Sequence, residues 1–410
     1  MSKKIPIGTA LAVLFVVMAA TIAITMKISM GVYNHLISDL SERSAMYDGI
    51  AEVDKLTREK FNGTIDSENV YSGLAAGFVN GLGDPASFYL TPAEYEVYNN
   101  KLLGKMSGTG LTAAYNTETN QLLVTSVAKN SPAEASGIAV GDVITKIADI
   151  DVDFENYAEL ASNLEGQKLS NVNVTYSHEG KSNTVNLVMG YSLQSVTYRN
   201  VGTIGIISIT GFYENAINQF KDAIKALTEA GCKSLIIDVR NCDEGTIEYA
   251  TKVLDILVPV ATEGTAAMAT VVNAEGKTIK TFPSDSESVA MPMLVLVNGG
   301  TKGPAELFAC DLRDFGKAQL IGTKTKGVCT MQQLFRLSNG GAVVLTVANV
   351  LPYTSDGING TGVAPDYIVK LTAEQTAQIG IMSDADDPQM QQAFTLLAGD
   401  AAEGGDGHEG

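Results

Sequence analysis

Residues 297–333 read VNGGTKGPAELFACDLRDFGKAQLIGTKTKGVCTMQQ, and the order of elements within them sets the architecture of the surrounding region. An apolar β-run from Met293 to Val297 meets a Gly-Gly turn at Gly299 and Gly300, and an acidic helix opens near Glu306. This strand-turn-helix order is the setting that presents a nucleophile at a helix N-terminus, where backbone N–H groups favour negative charge. A second strand and turn follow before Gln332. Upstream, Ile204 to Ile209 reads as a strand and Ser234 to Val239 as a buried strand. Between them, Ala216 to Ala230 reads as an amphipathic helix with Ile217, Phe220, Ala223, Ile224 and Leu227 on one face. The alternation predicts an α/β core with a sheet buried on both faces.

Two patterns in this region carry a resemblance. Asn298, Gly299, Gly300 and Glu306 fall on N-G-G-S-A-S-A-S-E, and Gly322, Thr325 and Gln332 fall on G-x-x-T-F-G-K-G-x-x-Q. These segments belong to the carboxyl-terminal processing peptidases, or tail-specific proteases, which the chain resembles over about residues 30 to 371. Further matches are Gly205 to Phe212 on G-x-I-x-I-x-x-F, the run Leu235 to Asn241, and Gly360-Thr361-Gly362-Val363-Ala364-Pro365-Asp366. The resemblance implies an extracytoplasmic serine peptidase with a Ser-Lys catalytic pair and a PDZ domain.

At the positions where that chemistry needs particular atoms, the chain departs from the family. The nucleophilic serine falls on Gly303 and the lysine base on Val328. Glycine has no side chain and valine no proton acceptor, so neither half of an activated nucleophile is present. The following residue, whose N–H is an oxyanion donor in the family, is Pro304, which has no N–H. Loss of one such donor costs on the order of 10² to 10³ in rate. The second oxyanion loop, R-N-N-P-G-G in the family, reads Arg240-Asn241-Cys242-Asp243-Glu244-Gly245, and places a carboxylate where negative charge would develop. Gln332, which orients the lysine in the family, is kept.

A displaced pair, Thr301 and Lys326, sits two residues before the two lost positions, and a Thr-Lys pair is chemically workable. Against it, helix entry fixes the nucleophile, and Thr301 lies about a turn outside that point. Cys329 and Cys242 lack a histidine partner in the core, since the histidines are His35, His178 and His408. No H-x-x-x-H, C-x-x-C or G-x-x-x-x-G-K-[ST] pattern occurs, so neither metal nor cofactor is expected.

Residues 105–192 resemble a PDZ domain. Gly108-Thr109-Gly110-Leu111 fits the loop before the ligand-pairing strand, and Ser131 to Ile138 with Gly141-Asp142-Val143-Ile144 fits the domain's recognisable core. The resemblance implies capture of peptide C-termini by strand addition, with loop N–H groups holding the carboxylate. A helix beginning near Glu155, with Tyr157, Leu160 and Leu164, forms the other wall of the groove; an interdomain spacer is the competing role. Ahead of the domain, residues 30–104 read as helical, with Asp84 to Leu90 resembling D-D-P-Y-S-x-Y-L and a capped helix at Thr91-Pro92-Ala93-Glu94.

The chain has 410 residues, 45% of them hydrophobic, enough for several domains with a sizeable core. A formal net charge of −18 argues against nucleic acid or an anionic membrane surface as ligand. Ile5 to Met26 is free of charge, follows Lys3 and Lys4, and has the roughly 20-residue length of a bilayer span. A single-pass anchor with a cytoplasmic N-terminus and an extracytoplasmic bulk is expected, with a cleaved signal peptide as the competing reading. The four cysteines, Cys232, Cys242, Cys310 and Cys329, are open to disulfides or to buried thiols. No Lys or Arg follows Lys370, and the stretch GDAAEGGDGHEG reads as a solvated tail.

The expected organisation is thus multidomain α+β: stub and transmembrane helix 1–29, helical region 30–104, PDZ domain 105–192, peptidase-like α/β core 193–371, acidic tail 372–410. The expected function is that of an inactive, membrane-anchored homologue binding C-terminal or extended peptides as adaptor or regulator, with an active paralogue or a second copy as possible assembly partner. An active endopeptidase using Thr301 and Lys326, and a purely structural assembly subunit, are the alternatives.

Overall fold

The computed structural model describes residues 7–165, 170–258, 267–284, 288–354 and 357–403. The chain divides into two units, Met1–Leu74 and Ala75–Gly410.

The first unit holds the helix Ile7–Lys60 and the start of the helix Ser67–Asn80. Among the described residues no helix is long and apolar enough to cross a membrane, so the transmembrane helix expected over Ile5 to Met26 has no support here. Ile5 and Pro6 lie outside the described residues. The rest of the run is the beginning of a 54-residue helix that continues past Lys27 into charged sequence such as Glu52, Asp54 and Arg58.

In the second unit the α/β core is built on six strands in the order Val196–Val201, Ile204–Ile209, Ser234–Asp238, Met293–Val297, Ala318–Gly322, Tyr367–Ile368. All run parallel except the first, which is antiparallel to Ile204–Ile209. Alternate residues of each strand point to opposite faces. Ile207, Ile237 and Val295 meet Phe220, Leu254 and Phe308 on one side. On the other, Ile206, Ile236, Leu294, Leu296 and Ile321 lie under Met390, Ala393 and Leu397.

Those last three residues belong to the helix Pro388–Glu403, which corrects the reading of 372–410 as a tail as far as residue 403; residues 404–410 lie outside the described residues. The acidic bias concealed an apolar stripe at helical spacing. Its anchor is electrostatic as well: buried Arg240 pairs with Asp238 at 2.7 Å and with Asp387 at 2.8 Å, and donates to Gln389 Oε1 at 2.9 Å. Burial alone would lower the Arg240 pKa, but the two carboxylates outweigh it and hold the guanidinium charged.

A second sheet joins Phe88–Leu90, Ala342–Pro352, Ala267–Val272 and Thr278–Pro283, with Thr330–Arg336 also paired to Ala342–Pro352. Phe88–Leu90 therefore interrupts the helical run expected over 30–104, because its partner lies at the far end of the chain. The expected capping box is formed: Thr91 accepts from the Glu94 N–H and Glu94 from the Thr91 N–H, opening the helix Pro92–Leu102. A short ribbon, Lys105–Met106 against Tyr191–Ser192, closes the base of the PDZ domain. Above it, five strands run in the order Leu111–Asn116, Gln121–Val127, Val143–Ile147, Asn171–His178, Lys181–Val188, around a core of Leu122, Ile144, Ile147, Val174 and Leu187. Their outer edge strand, Leu111–Asn116, has a sheet partner on one side only.

All four cysteines are buried and no disulfide links them.

Candidate functional site: a peptidase elbow and a PDZ groove

The strand Met293–Val297 ends in Asn298, whose side chain organises the turn. Its Oδ1 accepts from the N–H groups of Gly300 (2.9 Å), Thr301 (3.1 Å) and Asn241 (2.9 Å), while its Nδ2 donates to Asn241 Oδ1 (2.9 Å). The Gly-Gly turn is thereby tied to the loop corresponding to the second oxyanion donor. The chain then enters the helix Pro304–Asp314 through Gly303 at φ 60°, ψ −115°. This positive-φ strand-to-helix entry is of the kind that puts a nucleophile at a helix N-terminus, and glycine adopts it without steric cost. A Cβ built on Gly303 would meet only the Val328 carbonyl, at 3.5 Å. Gly303 and Val328, the two positions on which the resemblance places the serine and the lysine, are therefore neighbours.

What joins them is Glu306, fully buried on the first turn of the helix. Its Oε2 accepts from the N–H of Gly303 (3.0 Å) and of Val328 (2.8 Å), and its Oε1 accepts from the Gly327 N–H and the Thr325 hydroxyl. Four donors converge on one carboxylate, which explains how an acid survives in an apolar core. Thr325 in turn accepts from the Val363 N–H at 2.8 Å, bringing in the Gly360 to Asp366 segment. The motif match alone gave Glu306 no such role; its place one helical turn after an N-cap position was the available signal.

Pro304 begins the helix and is buried. Glu244 and Gly245 form a short strand paired with Gly211–Phe212. Gly245 has φ 106°, and a Cβ there would lie 2.1 Å from the Phe212 carbonyl oxygen, so glycine is required. Glu244 is salt-bridged to Lys101 and accepts from the Tyr213 hydroxyl. Burial alone would raise its carboxyl, but the hydrogen bonds from Lys101 and Tyr213 win and hold it below the usual range. Burial, and then the bond to Glu244, push the Tyr213 phenol up, so it stays protonated. Neither partner was legible in sequence, since Lys101 comes from the helix before the PDZ domain.

This cluster lines a cavity of about 300 Å³ with Phe88, Tyr98 and Gln332. It shares Tyr98, Leu102, Gly245, Gln332 and Val344 with a second cavity of about 230 Å³. Gln332 donates to the hydroxyls of Thr330 (2.8 Å) and Thr346 (3.3 Å).

For the displaced pair, the two backbones meet: the Lys326 N–H donates to Thr301 O at 3.1 Å. The side chains diverge in environment. Thr301 is fully buried, its hydroxyl donating to Val239 O at 2.9 Å, whereas Lys326 is exposed. Burial first, then Asp243, pushes the Cys242 thiol up; burial, then Glu306, does the same for Cys329. A reactive thiolate needs the opposite shift.

In the PDZ domain the loop Gly108–Leu111 lies against Leu164. The Thr109 N–H donates to Leu164 O at 2.8 Å and its hydroxyl at 3.1 Å, so that one loop amide is committed inside the domain. The helix Tyr157–Ser162, continued by a 3₁₀ turn through Glu165, provides the opposite wall, starting two residues later than the sequence suggested. Ser131 caps the short helix Pro132–Ala135, accepting from the Glu134 N–H at 3.2 Å.

An α/β core with a nucleophile-type elbow, a paired oxyanion-type loop and an inserted PDZ domain defines the class of a PDZ-bearing serine peptidase fold. Residues 203–369 match the model of peptidase family S41, and residues 108–189 match that of the PDZ domain. The chain is similar to the carboxyl-terminal processing peptidases. It is 27% identical over 373 residues to a "Probable CtpA-like serine protease" of Staphylococcus aureus, covering 88% of this chain and 73% of that protein. It is 29% identical over 330 residues to a "Carboxyl-terminal-processing protease" of Synechocystis, covering 78% of this chain and 75% of that one. The solved structure of an S41 protease from Bacteroides fragilis shares the fold, with a TM-score of 0.52 at 16% identity, covering 83% of this chain and 93% of that one.

Proposed function

We propose that this chain is a catalytically silent carboxyl-terminal processing peptidase that binds C-terminal or extended peptides through its PDZ domain and acts as an adaptor or regulator. The observation that carries the proposal is the elbow itself. Gly303 occupies the nucleophile's positive-φ entry beside Val328, with Pro304 following and Glu244 on the oxyanion loop. The backbone scaffold for hydrolysis is kept while the nucleophile, the base and one oxyanion donor are absent. Peptide binding draws support from the open edge of Leu111–Asn116 and from the Gly108–Leu111 loop, where the N–H of Gly110 is the proposed carboxylate donor, the Leu111 N–H being given to the Thr109 hydroxyl at 3.3 Å. Assembly with an active paralogue or a second copy belongs to the same proposal, as does an extracytoplasmic location with Ile5 to Met26 as anchor. The anchor rests on the charge-free run alone, and extraction of the full chain from membranes only by detergent is its expected behaviour.

The test is hydrolysis of an unstructured protein with an apolar C-terminus by the chain and by its Thr301→Ala and Lys326→Ala variants. No cleavage by any of the three is expected; cleavage by the parent that both variants lose would establish the displaced pair and remove the proposal.

A further inference from the structure

Resting on the PDZ reading above, a ligand antiparallel to Leu111–Asn116 with its carboxylate at the Gly108–Leu111 loop has a defined register. Strand residues alternate in facing and rise about 3.4 Å each, so the terminal residue and those two and four places upstream point to the same side. On the edge strand the matching residues are Leu111, Ala113 and Tyr115, all packed toward the domain core. The small Ala113 leaves the middle of the groove open. Tyr115, about 13 Å along, is different.

Tyr115 stacks on Tyr157 from the opposite wall, with centroids 4.7 Å apart and planes at 22°. Phe154 completes the group at 5.9 Å from Tyr115 and 6.1 Å from Tyr157, and is itself 60% exposed. An aromatic face left open to water at the end of a groove is a recognition surface for an apolar or a cationic group. The charges around it choose between them. Asp153 and Glu155 flank Phe154, and Glu159 follows Tyr157; all three are exposed, and among the described residues none forms an ion pair. No Lys or Arg occurs from 147 to 165.

We propose that Tyr115, Phe154 and Tyr157, with the carboxylates of Asp153, Glu155 and Glu159, form a subsite for an arginine side chain four residues upstream of the ligand's terminal residue. The guanidinium plane stacks on the exposed Phe154 face while its N–H groups meet carboxylates, a combination that lysine satisfies less well.

The test uses the full chain and fluorescein-labelled seven-residue peptides ending in leucine, with Arg, Ala, Phe or Glu four places before the end, read by anisotropy. The Arg peptide is expected to bind roughly tenfold tighter than the Ala peptide and the Glu peptide more weakly than either. Phe154→Ala, at an exposed position, is expected to remove the Arg preference, so that the Arg and Ala peptides bind the variant alike; Glu155→Gln is expected to reduce it. Equal affinity for all four, or tighter binding of the Phe peptide, would overturn the subsite and leave the PDZ reading standing. C-terminal amidation with no loss of affinity, or no binding by any peptide, would overturn the PDZ reading and the subsite together.

Discussion

The elbow and the PDZ groove meet evolutionary change on different terms. On the proposed reading, function at the elbow depends on a hydroxyl, an amine and an N–H at fixed points, and three residues, Gly303, Pro304 and Val328, account for the loss of all three. In the groove, the proposed carboxylate donor and the pairing edge are backbone, so that side chains can change without loss of the binding chemistry. The elbow nonetheless keeps its shape, because Asn298 and Glu306 hold it from within the core and neither is a reacting group. A scaffold maintained by buried hydrogen bonds thus keeps its shape independently of the residues at 303 and 328.

The comparison breaks most sharply at Glu306. Glu306→Ala leaves four donors without an acceptor and is expected to cost roughly 3 to 5 kcal/mol in denaturant unfolding of the core. Peptide affinity of the PDZ domain, measured under native conditions, should stay as it was. Gly245→Ala comes next: a Cβ in contact with Phe212 O at a positive φ should cost roughly 2 to 3 kcal/mol. Gly303→Ser sharpens the contrast, since space is available and only the backbone strain of about 1 to 2 kcal/mol stands against it. With Val328 and Pro304 unchanged it should gain no hydrolysis.

A smaller effect is set by Asp311, buried in the elbow helix, with Oδ1 accepting from the Tyr353 N–H and Oδ2 unpaired. Burial raises its carboxyl well above the usual range. The folded state therefore binds this proton more tightly than the unfolded chain. Its contribution is complete below the unfolded value near about 4 and is lost as pH rises toward the raised folded value. Stability of the parent should decline across that range relative to Asp311→Asn, as followed by unfolding midpoints at stepped pH. Lys101→Met should matter least to stability, within about 1 kcal/mol, because the Lys101–Glu244 pair is partly exposed.

How much was legible follows the same division. Strand Ile204–Ile209 and the presence of a PDZ domain stood in the sequence because their signals are local: apolar runs and turn residues. The pairing of Phe88–Leu90 with Ala342–Val344 was hidden, since three residues carry no periodicity and the partner is remote. The helix Pro388–Glu403 was hidden between the acidic residues Asp384, Asp386 and Asp387 and the low-complexity stretch after it, although Met390, Ala393 and Leu397 recur at helical spacing. At the elbow, motif positions pointed to Gly303 and Val328, but not to Glu306 gathering four donors, nor to Lys101 and Tyr213 engaging Glu244. In the groove, the loop was found and its Thr109 commitment to Leu164 was not.

The most direct measurement follows one peptide through both regions: incubate the full chain with a saturating C-terminal peptide, separate the bound fraction, and determine its mass. The account predicts that the peptide is retained and intact; recovery of fragments, with a catalytically inactive control protein leaving the same peptide whole, would contradict it.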